Sequence, residues 1–170
     1  YIDNLVDLFE LAAERPEDRF RAMFARHHPA VFGYAARRVG RDDAHDVAAE
    51  TFTVAWRRMR RVPAEPQTLP WLYGVARNVT ANLQRSRRRS GRLAARAAGE
   101  AIAAPPIGPP EVVEVLDHLR DDDREILMLA AWEGLSPAGI GSVLGCSPNT
   151  AAVRLHRART RLAEAMEGEI

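Results

Sequence analysis

The chain has 170 residues, 46% of them hydrophobic, and a net charge of +1. That is enough for one ordinary domain or two small ones, and it excludes wholesale disorder. Apolar runs of only a few residues exclude membrane insertion, and a single cysteine, Cys146, excludes an internal disulfide and fits a reducing cytoplasm.

The elements read as helices. Residues 1–16, YIDNLVDLFELAAERP, place Leu5, Phe9 and Ala12 on one face among Asp3, Asp7, Glu10 and Glu14. This predicts an acidic amphipathic extension ending before Pro16 and packing through Leu5, Leu8 and Phe9. Phe20, Met23, Phe24, His27, Val31, Tyr34 and Ala35 make a first helical stripe. Val47, Ala48, Thr51, Phe52, Ala55, Trp56 and Met59 make a second, with Asp42 and Asp43 as expected N-terminal caps. VPAEPQTLP (Val62–Pro70) holds three prolines in nine residues and reads as a loop. Trp71, Leu72, Val75, Ala76, Val79 and Leu83 form a third stripe. Residues 17–90 are therefore expected to form a helical bundle. Residues 91–110, rich in Ala, Gly and Pro, are expected to be a flexible linker.

A second helical unit, residues 111–170, starts with Val112, Val115, Leu116 and Leu119. A helix capped by Asp121, Asp122 and Asp123 follows, carrying Ile126, Leu127, Leu129, Ala130 and Trp132. LSPAGIGSVLGCSPNTAAVRLHRARTR then reads as helix, Gly-containing turn and Arg-rich helix, the arrangement that enters a DNA major groove. In its second helix Ala151, Leu155, Ala158 and Leu162 must face the core. Asn149, Val153, His156, Arg157 and Thr160 lie opposite, with Arg154 and Arg161 at the flank. An apolar Val153 on the outer face suits a thymine methyl group.

Charge distribution points the same way. All 24 basic residues are Arg, and residues 66–99 contain no acid while holding Arg77, Arg85, Arg87, Arg88, Arg89, Arg92 and Arg96. Such a stretch predicts a phosphate-facing surface. Asp46, Glu50 and His45 lie close in sequence, but no second cluster completes a metal site, and no nucleotide-binding or hydrolase motif occurs. Neither metal, cofactor nor enzymatic activity is expected.

DDAHDVAAETFTVAWRRM, with PWLYGVARNVTANLQRSRRR after the loop, resembles region 2 of bacterial sigma factors of the extracytoplasmic-function group, in the sigma-70 family. REILMLAAWEGLSPAGIGSVLGCSPNTAAVRLHRARTRL resembles their region 4. The resemblance implies an all-α chain of two small domains and a cytoplasmic subunit that binds core RNA polymerase and directs it to promoters. It assigns Asp46, Val47, Glu50, Thr51, Phe52 and Trp56 to the clamp helices of the largest polymerase subunit. It assigns the Pro-rich loop and the following helix, with Trp71, Arg77, Asn78, Asn82, Arg85 and Arg88, to opening the −10 element. Ser147, Asn149, Thr150, Val153, Arg154 and Arg157 fall to the −35 element, in a domain that also meets the polymerase flap region. An anti-sigma factor is a further implied partner. The chain departs from the usual pattern at Ala49, Asn82, Gly139, Ala152 and Val153, where the family often has Gln, Asp, Glu, Lys and Ser. The alternative is a stand-alone helix-turn-helix regulator; it would need a sensing or phosphoacceptor domain, and none is visible.

Overall fold

The computed structural model describes residues 15–98, 116 and 119–167. The N-terminal extension as far as residue 14, most of the linker, and Val112 and Val115 lie outside the described residues. Six α-helices and one 3-10 turn are present among those described: α1 (Pro16–Val39), α2 (Arg41–Arg57), the 3-10 turn (Met59–Arg61), α3 (Thr68–Ala98), α4 (Asp121–Ala131), α5 (Pro137–Leu144) and α6 (Pro148–Glu167).

The fold is all-α, in two helical units. In the first, α1 and α2 lie against α3. Met23, Val31, Tyr34, Phe52 and Leu72 are buried where they meet, and Ala35, Ala44 and Val47 form a smaller cluster near the α1–α2 junction. Gly40 makes that junction at φ 83°, a conformation L side chains rarely adopt. The expected caps differ. Helix α2 is capped by Gly40 and α4 by Arg120, neither with a side-chain bond. Asp42–Asp43 and Asp121–Asp123 instead sit inside the first turns, where carboxylates favour the helix dipole without capping it.

Helix α3 starts at Thr68, so the last three residues of the expected loop are already helical; Pro70 is tolerated in the first turn, where its missing N–H has no partner to lose. The helix runs to Ala98, eight residues into the expected linker, for a length of about 46 Å.

In the second unit, α4 packs on α6, and α5 joins α6 through a tight turn. Gly145 ends α5 in the left-handed region at φ 69°. Gly141 is required for closeness: a Cβ there would stand 2.6 Å from the Cys146 carbonyl oxygen.

The two units are packed together. Leu72, Tyr73 and Ala76 of α3 share one continuous core with Ile126, Leu129, Ile140 and Val143. Helix α3 passes the backbone of α5 at Gly74, where a Cβ would make ordinary contact with Val143 at 3.8 Å. Beside this contact lies a buried charge network. Arg38 donates to Glu125 from Nε (2.9 Å) and Nη2 (3.3 Å), and to Glu133 from Nη1 (3.0 Å). Arg37 donates to Glu133, and the Tyr34 hydroxyl to Glu125. The Arg38 guanidinium also lies over the Tyr34 ring, 3.5 Å from its centroid.

Candidate nucleic-acid interface

Helix α6 presents the face expected of a groove-reading helix. Ala151, Leu155 and Ala158 are buried, while Asn149, Thr150, Val153, His156, Arg157 and Thr160 are exposed. The N-terminus is held by Ser147, whose Oγ accepts from the Thr150 N–H at 3.1 Å and pairs with the Thr150 hydroxyl at 2.8 Å. Pro148 follows at the first helical position, where no N–H is needed. Ser147 and Thr150 thus build the end of the helix whose free amides suit a phosphate.

Two arginines of this helix are engaged within the protein. Arg161 donates to both carboxylate oxygens of Asp123, at 2.9 and 2.8 Å. Arg154, expected to read bases, lies 3.5 Å from Asp122. Asp122 is largely exposed and Arg154 partly so, which makes the pair weak and exchangeable for DNA. Together Asp121–Asp123, Arg154, Arg157 and Arg161 line a charged cleft. The acids were legible only as helix-start residues; nothing local showed that they meet α6.

On α3, Trp71, Asn78, Asn82 and Arg85 recur at steps of seven, four and three residues and so share a stripe. Asn78, Asn82, Arg85 and Arg88 are exposed; Trp71 and Arg77 are half-buried, Trp71 against the core. Arg85 donates to Asn82 within the stripe, and Arg87 pairs with Asp43. The loop leading into α3 is pinned from α1, by Arg19 on the Met59 and Val62 carbonyls and by His27 on Glu65.

The third surface lies between α1 and α2. Phe20, Phe24, Phe52 and Trp56 line an open groove of about 650 Å³ with Glu17, Arg21, Ala49 and Thr53. Its rings are in contact: Phe20–Trp56 at 5.2 Å and Phe24–Phe52 at 4.8 Å between centroids, both edge-on. Phe24 and Trp56 are 40% and 43% exposed. Asp46 and Glu50 are exposed on the same helix. Val47 and Thr51, expected to touch a partner, are at most 1% exposed, and Thr51 spends its hydroxyl on the Val47 carbonyl. They support the surface from beneath, as their place in the apolar stripe of α2 requires. Phe20 and Phe24, read from their spacing as part of the α1 stripe, line this groove, and His28 lies against the Phe24 and Phe52 rings. The four-residue spacing of Phe20, Phe24 and His28, continued by Phe32, marks a face beside the Met23–His27–Val31 core stripe.

Tyr34 and Tyr73, both of the first unit, face each other at 5.2 Å where it meets the second. Burial pushes the Tyr73 hydroxyl up to about 12, with Glu133 adding to it. Burial, with Glu125 nearby, raises Tyr34 further. Arg38 is held charged: burial works against the cation, but Tyr34, Glu125 and Glu133 outweigh it. Among the described residues no group of three or more His, Cys, Asp or Glu is placed to hold a metal ion, and no helix is long and apolar enough to cross a membrane.

Residues 23–90 match Sigma-70 region 2, and residues 111–162 match Sigma-70 region 4. RNA polymerase sigma factor CarQ of Myxococcus xanthus is 34% identical over 161 residues, covering 91% of this chain and 92% of that protein. The ECF RNA polymerase sigma-E factor of Haemophilus influenzae is 25% identical, with 89% of each chain covered. Among solved structures, the sigma factor RpoE in complex with the anti-sigma factor NepR from Bartonella quintana superposes with a TM-score of 0.66 at 25% identity, over 88% of this chain and 97% of that one. The chain belongs to the sigma-70 family of RNA polymerase sigma factors, in its extracytoplasmic-function group.

Proposed function

We propose a division of labour within this promoter-directing subunit. Residues 17–90 grip the largest polymerase subunit and capture the opened −10 element; residues 111–170 read the −35 element. The chain carries no catalysis of its own and works in the cytoplasm, where polymerase supplies the chemistry. Duplex opening costs a few kcal/mol per unstacked base. The loop before α3, with Trp71, Asn78, Asn82 and the arginines after them, offsets that by holding unpaired bases and their phosphates. Asn149, Val153 and Arg157 read base edges, and Ser147 and Thr150 shape the helix end against the backbone. An anti-sigma factor, which accompanies the related RpoE, would compete for these same faces.

The observation that carries the reading is the aromatic groove. Two large aromatic residues, Phe24 and Trp56, stand open, and Asp46 and Glu50 are exposed on the same helix as Trp56. An exposed apolar cluster of this kind marks a docking site, and the acids suit a basic, partly apolar helix pair. A stand-alone regulator has no use for it. Asp46→Lys with Glu50→Lys is expected to abolish co-purification with core polymerase while leaving the helical content unchanged. Binding retained at moderate salt would refute the assignment.

A further inference from the structure

We infer that Arg19 and His27, on α1 and outside every expected DNA contact, are positioning residues that fix the loop 62–67 and so set which bases the chain accepts at the −10 element. The inference rests on the assignment of that loop to −10 capture.

Two of the six loop residues are proline, so the loop lacks two backbone donors and needs partners from outside to complete its bonding. Its carbonyls are satisfied one by one. Arg19 Nη2 donates to Val62 O at 2.6 Å, and Arg19 Nη1 to Met59 O, just before the loop, at 3.3 Å. Thr68 Oγ1 donates to Pro63 O at 2.9 Å, and the Gln67 N–H to Ala64 O at 3.0 Å. Val62 anchors the loop in the core at 5% exposure. The tip is held by Glu65, which accepts from His27 Nε2 at 2.6 Å, with Arg26 at 3.9 Å. His27 is only 5% exposed and sits in the α1 stripe between Met23 and Val31. Packing alone would be served there by a leucine; a buried imidazole needs its polar partner. Ala64, Pro66 and Gln67 are left exposed in a determined shape.

The bond has a second consequence. Glu65 is the last acid before the acid-free stretch of α3. Held against α1 by His27, its carboxylate is kept from swinging toward phosphates that the arginines are meant to receive.

The test is in vitro transcription by reconstituted holoenzyme from a promoter library randomised over the −10 element, read by sequencing the transcripts. His27→Leu removes the donor and keeps the burial; Arg19→Met removes the donors and keeps the stem; His27→Gln keeps a donor. The first two are expected to lower discrimination at one or more −10 positions by about tenfold, the equivalent of one charge-assisted hydrogen bond. Core affinity and −35 preference are expected to stay the same, and His27→Gln to retain the parental preference. Gln67→Ala reports on the loop itself. If Gln67→Ala shifts −10 preference and the α1 variants do not, the inference is overturned. It is also overturned if the α1 variants lower output from all library members in proportion, which is the mark of lost folding alone. If none of the variants shifts −10 preference, the loop assignment fails and takes the inference with it.

Discussion

Glu133→Gln probes the joint between the two helical units. The Glu133 side chain is 1% exposed and accepts from both Arg37 and Arg38. Removing one partner of a buried ion pair costs about 3–5 kcal/mol when the other is stranded. Here the cost is reduced, because Arg38 keeps Glu125 and the Arg37 side chain is 20% exposed. About 2–3 kcal/mol is expected, which lowers the melting temperature of a chain this size by roughly 4–12 °C. The network lies between the units, so the variant has a second way to relieve the charges: the units part. On a promoter they have to part in any case. The −10 and −35 elements are about 85 Å apart along the duplex at 3.4 Å per base pair, whereas the longest of the described helices, α3, spans only about 46 Å. The assay is urea unfolding, followed by tryptophan fluorescence from Trp56 and Trp71 in one unit and Trp132 in the other, with small-angle scattering of the folded state. The expected result is a lower midpoint or two separated transitions, with a larger radius of gyration before unfolding. A single transition within about 0.5 kcal/mol of the parent, at unchanged radius, would refute the reasoning.

Gly141→Ala sets a Cβ against the Cys146 carbonyl; a loss of about 1–3 kcal/mol is expected in the helix-turn-helix, with −35 binding lost and core-polymerase binding retained. Wild-type thermal stability in this variant would show that the turn can shift. Arg157→Ala is expected to weaken upstream promoter binding by about 1–3 kcal/mol, and more than Arg154→Ala, whose side chain must first leave Asp122; footprints with the reverse order would contradict this. In alkali, Tyr34 and Tyr73 resist ionisation in the folded state, so the unfolded chain loses those protons first. Their contribution is complete below pH 10, falls as pH rises above 10, and is lost as pH rises through the folded values, from about 12 for Tyr73. Tyrosinate absorbance and helicity are expected to change together above pH 10; full ionisation of all tyrosines near pH 10 with helicity intact would contradict it.

What was legible in the sequence was local. The stripes of α1, α2, α3 and α6 follow from four- and three-residue spacing of apolar side chains, and the outer face of α6, with Val153 among polar neighbours, was read correctly as exposed. What was not legible was long-range and polar. Arg37, Arg38, Glu125 and Glu133 carry no mark of their role in the local sequence; only the tertiary fold brings them together in a buried network. The joining of two expected domains into one core went unseen for the same reason: Leu72, Tyr73 and Ala76 are buried by a unit some fifty residues away in sequence. At the docking surface the apolar spacing put Val47 and Thr51 in the stripe that the structure buries, whereas the family resemblance grouped them with Glu50 and Trp56. The reach of Arg19 and His27 to the loop joins residues about forty apart, beyond any local pattern.

The central claim is that this chain gives polymerase its promoter choice. Core polymerase reconstituted with the full chain should initiate at discrete start sites on a library of DNA fragments, each preceded by a shared pair of upstream elements. Core polymerase alone, or with Asp46→Lys/Glu50→Lys protein, should give none of those starts. Specific DNA binding by the free chain, with no specific initiation in the presence of core polymerase, would contradict the account and favour the stand-alone regulator.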